Sequence, residues 1–206
     1  MPSNASELHH LPLLPLGTVL FPGGVLPLRI FEVRYFDMIG KCHQTHAPFG
    51  VVALRQGNEV RVPGAPEEQL HTHGTLARIR HLRQAQPGLI HIECTGTQRF
   101  HIQRHTRLKH GLWVADVALL PDDPPIAIPP DLAHTASTLR HVLDKLRQHS
   151  GTSLPDTASE HFDDCAWVSN RWCELLPLAL PQKQHLMTLD SPLVRLELVA
   201  DLLGAA

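Results

Sequence analysis

Several features are missing from this 206-residue sequence, and each absence closes off a class of function. No apolar run approaches the roughly 20 residues that a helix needs to cross a bilayer. Pro12 and Pro15 interrupt the only apolar stretch near the N-terminus, and no basic leader precedes it, so a secretory signal is not expected. The cysteines, Cys42, Cys94, Cys165 and Cys173, are scattered without a C-x-x-C pair. Buried free thiols and a cytoplasmic location are therefore the expectation. No Gly-x-x-x-x-Gly-Lys-Ser/Thr stretch is present to cradle a nucleotide phosphate; Gly40-Lys41 runs on into cysteine and lacks the earlier glycine. A Gly-x-Ser-x-Gly nucleophile elbow is absent as well. Lysine is scarce, limited to Lys41, Lys109, Lys145 and Lys183.

What is there is the composition of a folded protein, 43% hydrophobic and 18% charged. The formal net charge of −2 conceals an asymmetry. Residues 1–116 hold 12 Lys+Arg against 8 Asp+Glu, whereas residues 117–206 hold 6 against 12. Solvated faces account for this in the simplest way; facing surfaces or a basic face for an anionic partner are the alternatives.

The first part carries strand patterns. Pro22-Gly23-Gly24 predicts a turn, because proline fixes φ and glycine permits positive φ. Leu26 to Phe31 then reads as a strand with Pro27 at its start, and a helix over about Val33 to His43 follows, with Phe36, Ile39 and Gly40 on its inner face and Met38 flanking. Leu11–Leu16 and Phe49–Leu54 are short apolar runs suited to buried strands. Ile90, Ile92 and Cys94 alternate with polar residues, and Phe100 and Ile102 resume that period after Gly96, which predicts a bend or bulge. Trp113, Ala115, Val117 and Leu119 form a further alternating set. Short strands punctuated by glycine and proline favour a closed or nearly closed barrel.

Pro121 to Pro125, followed by Pro129-Pro130, cannot continue helix or ladder, so a boundary is expected there, with units 1–121 and 122–206. Beyond it the period becomes helical. Leu132, Ala136, Leu139, Val142, Leu143 and Leu146 share a face behind an Asp131 cap, with Ser150-Gly151 as the stop. Thr157 and Glu160 suggest a capping box for a second helix whose stripe is Phe162, Cys165, Ser169, Trp172 and Leu176, ending at Pro177. A short helix from Gln182 and a last one from about Pro192, with Leu193, Leu196, Val199, Ala200 and Leu203 inward, complete a helical bundle.

Five segments, in order, resemble the N-terminal substrate-binding domain of Lon-type ATP-dependent proteases. They are Leu13–Leu16 with Val19-Leu20-Phe21-Pro22-Gly23; Phe49-Gly50-Val51-Val52; Gly74 to Ile79; Gly96 to Ile102, with its Arg99-Phe100 pair; and Gln182 to Met187 with Asp190 and Arg195-Leu196. Val33 stands where the family often has proline, and the proline-rich stretch from Pro121 to Pro130 has no clear counterpart. The resemblance implies an α+β fold: a PUA-like β-barrel subdomain with an inserted helix, followed by a C-terminal helical bundle. It also implies a stand-alone recognition module for unfolded or extended polypeptide, without ATPase or protease parts and without a cofactor, acting either alone or as an adaptor that delivers substrates to a larger protease or chaperone.

Arg29, Phe31, Glu32, Arg34 and Tyr35 are the candidate polypeptide-binding residues, lining a groove that holds an extended chain. The structural alternative pairs Arg29 with Glu32 across the strand-to-helix turn, with Tyr35 packed beneath. Nucleic-acid binding is the competing function, through Arg78, Arg80, Arg83, Arg99, Arg104 and Arg107 on the barrel, although most aromatics sit in apolar contexts that predict burial rather than stacking. His71-x-His73, with weaker pairs at His9-His10, His43/His46 and His101/His105, suggests metal ligands, but no Cys/His framework accompanies them and surface histidines are the simpler expectation. Cys42 or Cys94 as a nucleophile has no local signature in support.

Overall fold

A computed structural model describes residues 6–60, 64, 66–150 and 159–204. The chain divides into two compact units, one ending at Asp122 and the next beginning at Asp123.

The first unit is a mixed sheet closed on itself. Its strands are β1 (Glu7–Leu16), β2 (Val25–Ile30), β3 (Phe49–Gln56), β4 (Gln69–Gln86), β5 (Leu89–Arg107) and β6 (Trp113–Leu119), with helix α1 (Val33–Thr45) inserted after β2. The order β2-β5-β4-β3-β1-β6, with β5 also pairing β6, makes a ring of five strands with β2 attached outside it. Among the described residues only the β1–β3 pair is parallel, Leu13 opposite Gly50 through Leu16 opposite Ala53. The 19-residue β5 makes closure possible: its first half pairs β2 and its second half pairs β6. The expected irregularity at Gly96 is a register shift, where Ala77 opposes Gly96 but Thr75 opposes Arg99.

The glycine-bearing segments act on one another in space. Gly23, at φ 76°, donates its N–H to the Gly96 carbonyl at 2.8 Å, and the Gly96 N–H returns to the Gly24 carbonyl at 2.9 Å. A Cβ on Gly96 would run into the Phe21 carbonyl oxygen, so the Pro22–Gly24 turn latches onto β5 only because that position has no side chain. Likewise, Cβ atoms on Gly50 and Gly74 would both strike the fully buried ring of Phe100. Leu11, Leu13, Val52, Leu76 and Val117 pack around that ring. The opposite parity of the same strands, Leu14, Leu16, Phe49, Val51, Ala77 and Cys94, packs on α1.

Helix α1 is turned relative to the expected face. Tyr35, Met38, Ile39 and Cys42 are buried together with Arg34, while Phe36 and Gly40 are only half-buried. The ion pairs that hold Arg34, described below, set this rotation.

The second unit holds α2 (Ala133–Ser150), α3 (Cys165–Leu175), α4 (Leu180–Thr188) and α5 (Pro192–Gly204), with short 3-10 turns at Pro130–Leu132 and Ser159–Asp163. Leu132, Leu139 and Leu143 are buried as expected, and Thr135 joins them because its hydroxyl donates to the Leu132 carbonyl. Three details differ from expectation. Asp131 lies in the first helical turn and caps nothing; Pro129 occupies the cap position without a side-chain bond. Asp164 caps α3, accepting from the N–H groups of Ala166 and Trp167, so Phe162 precedes the helix and Cys165 opens it. Helix α4 begins at Leu180, before Gln182. The Thr157–Glu160 cap and the Gly151 stop fall partly outside the described residues. At the centre of the unit Arg195, 1% exposed, donates to Asp123, to Asn170 and to the carbonyls of Leu186 and Leu189. No helix among the described residues is long and apolar enough to cross a membrane.

Candidate polypeptide-binding groove

Among the described residues β2 is an edge strand, with β5 as its sole neighbour in the sheet order. Pro27 removes a donor from that edge, which blunts it against uncontrolled pairing. Near it, the last residues of β1, Leu14 to Leu16, pair β3 on one side, while the β6 ladder stops at Leu13 on the other. Between the two strand edges runs a groove of about 270 Å³, lined by Leu14, Pro15 and Leu16 of β1, by Pro27 to Ile30 of β2, by Phe31, Glu32 and Tyr35, and by Glu59 and Val60 of the next loop. Its volume lies near the lower end of the roughly 300–1,000 Å³ of a typical small-molecule site, and its lining is largely apolar. Phe31 and Val60 stand 51% and 44% exposed at its rim.

Four of the five candidate residues line this groove, and the fifth supports it from behind. Arg29 is exposed and, among the described residues, makes no ion pair. Glu32 does not pair with Arg29; it receives the Nε–H of Arg34 at 3.0 Å. Arg34 is buried and also donates to Glu68 at 3.3 Å, to the Gly111 carbonyl at 3.2 Å and to the Glu59 carbonyl at 3.4 Å. Glu68 in turn accepts the indole N–H of Trp113 at 2.6 Å. This cluster ties the start of α1, Glu59, Glu68 and the turn before β6 into one frame, and it fixes the groove rim at Glu59. Tyr35 forms part of the floor; it is 5% exposed, its ring stacks with the Arg34 guanidinium 4.7 Å away, and burial pushes its phenol well above the ordinary range. Glu59, Glu68, Val60 and Trp113 carry no sequence signal that would place them beside the helix entry.

A second cavity of about 460 Å³ lies on the other side of the first turn of α1, lined in part by Val33, Arg34, Met38, Leu108 and Leu112.

The six candidate nucleic-acid arginines are dispersed. Arg99 is buried, 4% exposed. Arg104 pairs with Asp116 on β6 at 3.1 Å, and Arg107 lies over the Trp113 ring at 5.7 Å. Arg78, Arg80 and Arg83 are exposed along β4, with Arg78 donating to the His46 carbonyl. His73 meets His101 edge to face, 4.8 Å between centroids, as cross-strand partners. Burial, and then Arg55, lowers the pKa of His71. Among the described residues no group of three or more His, Cys, Asp or Glu side chains is placed to hold a metal ion. All four cysteines are free and buried. Burial pushes Cys94 and Cys173 up to about 12 and Cys165 up to about 11, and raises Cys42 as well.

A closed mixed barrel with a helix inserted after its second strand, followed by a helical unit, defines the Lon N-terminal domain class of fold. The ATP-dependent protease La (LON) substrate-binding domain family matches residues 10–205, and the chain belongs to it. Among solved structures it is similar to a Lon N-terminal domain protein from Xanthomonas campestris, with 31% identity and a TM-score of 0.72 over 94% of this chain and 98% of that one. The N-terminal domain of the Mycobacterium avium complex Lon protease shares the fold at 17% identity and a TM-score of 0.59, covering 95% and 97% of the two chains. Among curated sequences, Lon protease 2 of Myxococcus xanthus is 37% identical over 93 residues, and the Lon protease of Brevibacillus choshinensis 23% identical over 205 residues. Those matches cover 45% and 97% of this chain but only 11% and 25% of the respective proteases.

Proposed function

We propose that this chain binds unfolded or extended polypeptide without transforming it, and that the barrel unit carries the recognition. The observation behind this reading is the apolar groove between the edges of β1 and β2, with Phe31 projecting at its mouth. An extended segment can lie along an edge strand, main chain to main chain, with alternate side chains in pockets. Because Pro15 and Pro27 each lack an N–H, the ladder is short of donors here, and seated apolar side chains supply most of the affinity. Arg29, Phe31 and Glu32 meet the ligand, Tyr35 floors the groove, and Arg34 positions the rim. Binding without catalysis is supported by the missing phosphate-binding and serine-nucleophile motifs and by four thiols held in their neutral form. A larger protease or chaperone would be the consumer of the bound chain, and unpaired cysteines suit a cytoplasmic setting.

The test is fluorescence anisotropy with a labelled, reduced and carboxymethylated protein as the unfolded ligand, using the wild type and Phe31→Asp. About half of the Phe31 surface, on the order of 100 Å², is available for burial, which at ~25 cal/mol per Å² gives about 2.5 kcal/mol. Saturable binding that weakens by about 60-fold in Phe31→Asp is the expected result. Absence of saturable binding by the wild type would refute the reading. The nucleic-acid alternative has less support, since Arg99 is buried, Arg104 is paired, and Phe31 is the one largely exposed aromatic among the described residues.

A further inference from the structure

The outer face beside the groove carries a charge row that the sequence does not display. Arg29 on β2 is directly opposite His91 on β5, and His91 is directly opposite Arg83 on β4. Cross-strand partners share one face of a sheet, so the three side chains form a line perpendicular to the strands. The guanidinium of Arg83 reaches the His91 ring nitrogen at 3.5 Å, and no carboxylate pairs with Arg29 or Arg83 among the described residues. The carboxylates nearest the groove are engaged: Glu32 holds Arg34, and Glu59 accepts from the Gly17 N–H. The neighbouring row, two residues along β2, is Pro27, Glu93 and His81, so its middle charge has the opposite sign.

We propose that the groove selects extended segments carrying an acidic residue at one register position, the one facing Arg29, with the flanking apolar residues seated on the other face against Leu28 and Ile30. This specificity rests on the polypeptide-binding reading above. On a strand added to β2, alternate side chains point to the same face. A carboxylate opposite Arg29 sits about 5 Å away across the strand gap, with Arg83 about 10 Å farther on and adding to the field. Two residues along, a carboxylate faces Pro27 and then Glu93, where it gains nothing. The preference is thus for one acid in register rather than for negative charge in general, which also separates it from attraction to a polyanion.

The test uses the full chain and a labelled extended peptide of alternating threonine and leucine, nine residues long, with single Asp or Lys replacements at each threonine. Anisotropy titrations give the affinities. One Asp position is expected to tighten binding about two- to fivefold at low salt, and Lys there to weaken it similarly, as exposed ion pairs do. The preference should vanish at about 1 M salt, where the screening length falls to ~3 Å. The double variant Arg29→Glu/Arg83→Glu, at exposed positions and checked for folding by circular dichroism, should exchange the Asp and Lys preferences. If the parent peptide binds and Phe31→Asp abolishes it, while Asp is neutral everywhere, the groove stands and this inference falls. If neither the parent nor any derivative binds, both fall. If a uridine 12-mer binds more tightly than the best Asp peptide and is lost in the double variant, the row reads nucleic acid and the inference is wrong.

Discussion

Replacing Arg34 with methionine tests the frame behind the groove. Methionine keeps the aliphatic stem that packs on Tyr35 but removes the guanidinium. The Arg34 and Glu68 side chains are 6% and 7% exposed, so the substitution leaves a buried carboxylate without its cation. It also strands the Gly111 carbonyl that Arg34 serves. Breaking a buried pair from one side costs about 3–5 kcal/mol, because the remaining charge is uncompensated. Trp113 still donates to Glu68 at 2.6 Å, which lowers the expected loss to about 3 kcal/mol. Glu68→Gln keeps an acceptor for the indole, so the double variant Arg34→Met/Glu68→Gln should recover part of the loss, giving a coupling of about 1.5–3 kcal/mol. Urea unfolding of the wild type, both single variants and the double variant measures all four terms. A loss below about 0.5 kcal/mol in Arg34→Met, or strictly additive single variants, would refute the claim that these groups form one buried unit.

Gly96→Ala should destabilise the barrel unit by about 1–3 kcal/mol, since its methyl meets the Phe21 backbone rather than a movable side chain; a midpoint in urea unchanged from wild type would contradict the latch. Arg195→Met should cost about 3–5 kcal/mol, read as earlier unfolding of the helical unit, because Asp123 keeps its burial and loses its closest cation. At pH 8 a thiol reagent should label the native protein slowly and all four cysteines rapidly in denaturant, since burial holds the thiolates back; one fast-reacting native thiol would revive a nucleophilic role. The Asp116 carboxyl lies below its ordinary value because the His10 N–H, and then Arg104, stabilise its charge. Its stabilising effect is present above the unfolded carboxylate value of about 4 and is lost as pH falls through the depressed folded value, so Asp116→Asn should flatten that part of the acid-unfolding curve.

How legible each feature was depended on whether its cause was local or distant. The Pro22–Gly24 turn and the alternating strands Ile90–Cys94 and Trp113–Leu119 follow from φ restrictions and period-two burial, and both are as expected. The distal half of β4, from Arg80 to Gln86, is almost entirely polar and exposed, so no burial period announces it; its pairing with β5 makes it a strand. The parallel β1–β3 contact joins segments with a helix between them and leaves no local trace. Among the candidate residues, Arg29 and Phe31 line the groove because they lie at the end of β2 and the turn into α1. Arg34 could not be assigned inward, since its partners Glu68 and Gly111 lie 34 and 77 residues away. Nothing local marks Arg195 as buried either, yet four partners from three segments surround it.

Amide hydrogen exchange, with and without a saturating extended peptide, tests the central claim most directly. Slowed exchange confined to residues 14–16 and 25–32, the two strand edges and the Phe31 rim, is the outcome the account requires. Saturable binding with those amides unchanged, and protection appearing instead on the helices of the second unit, would contradict it.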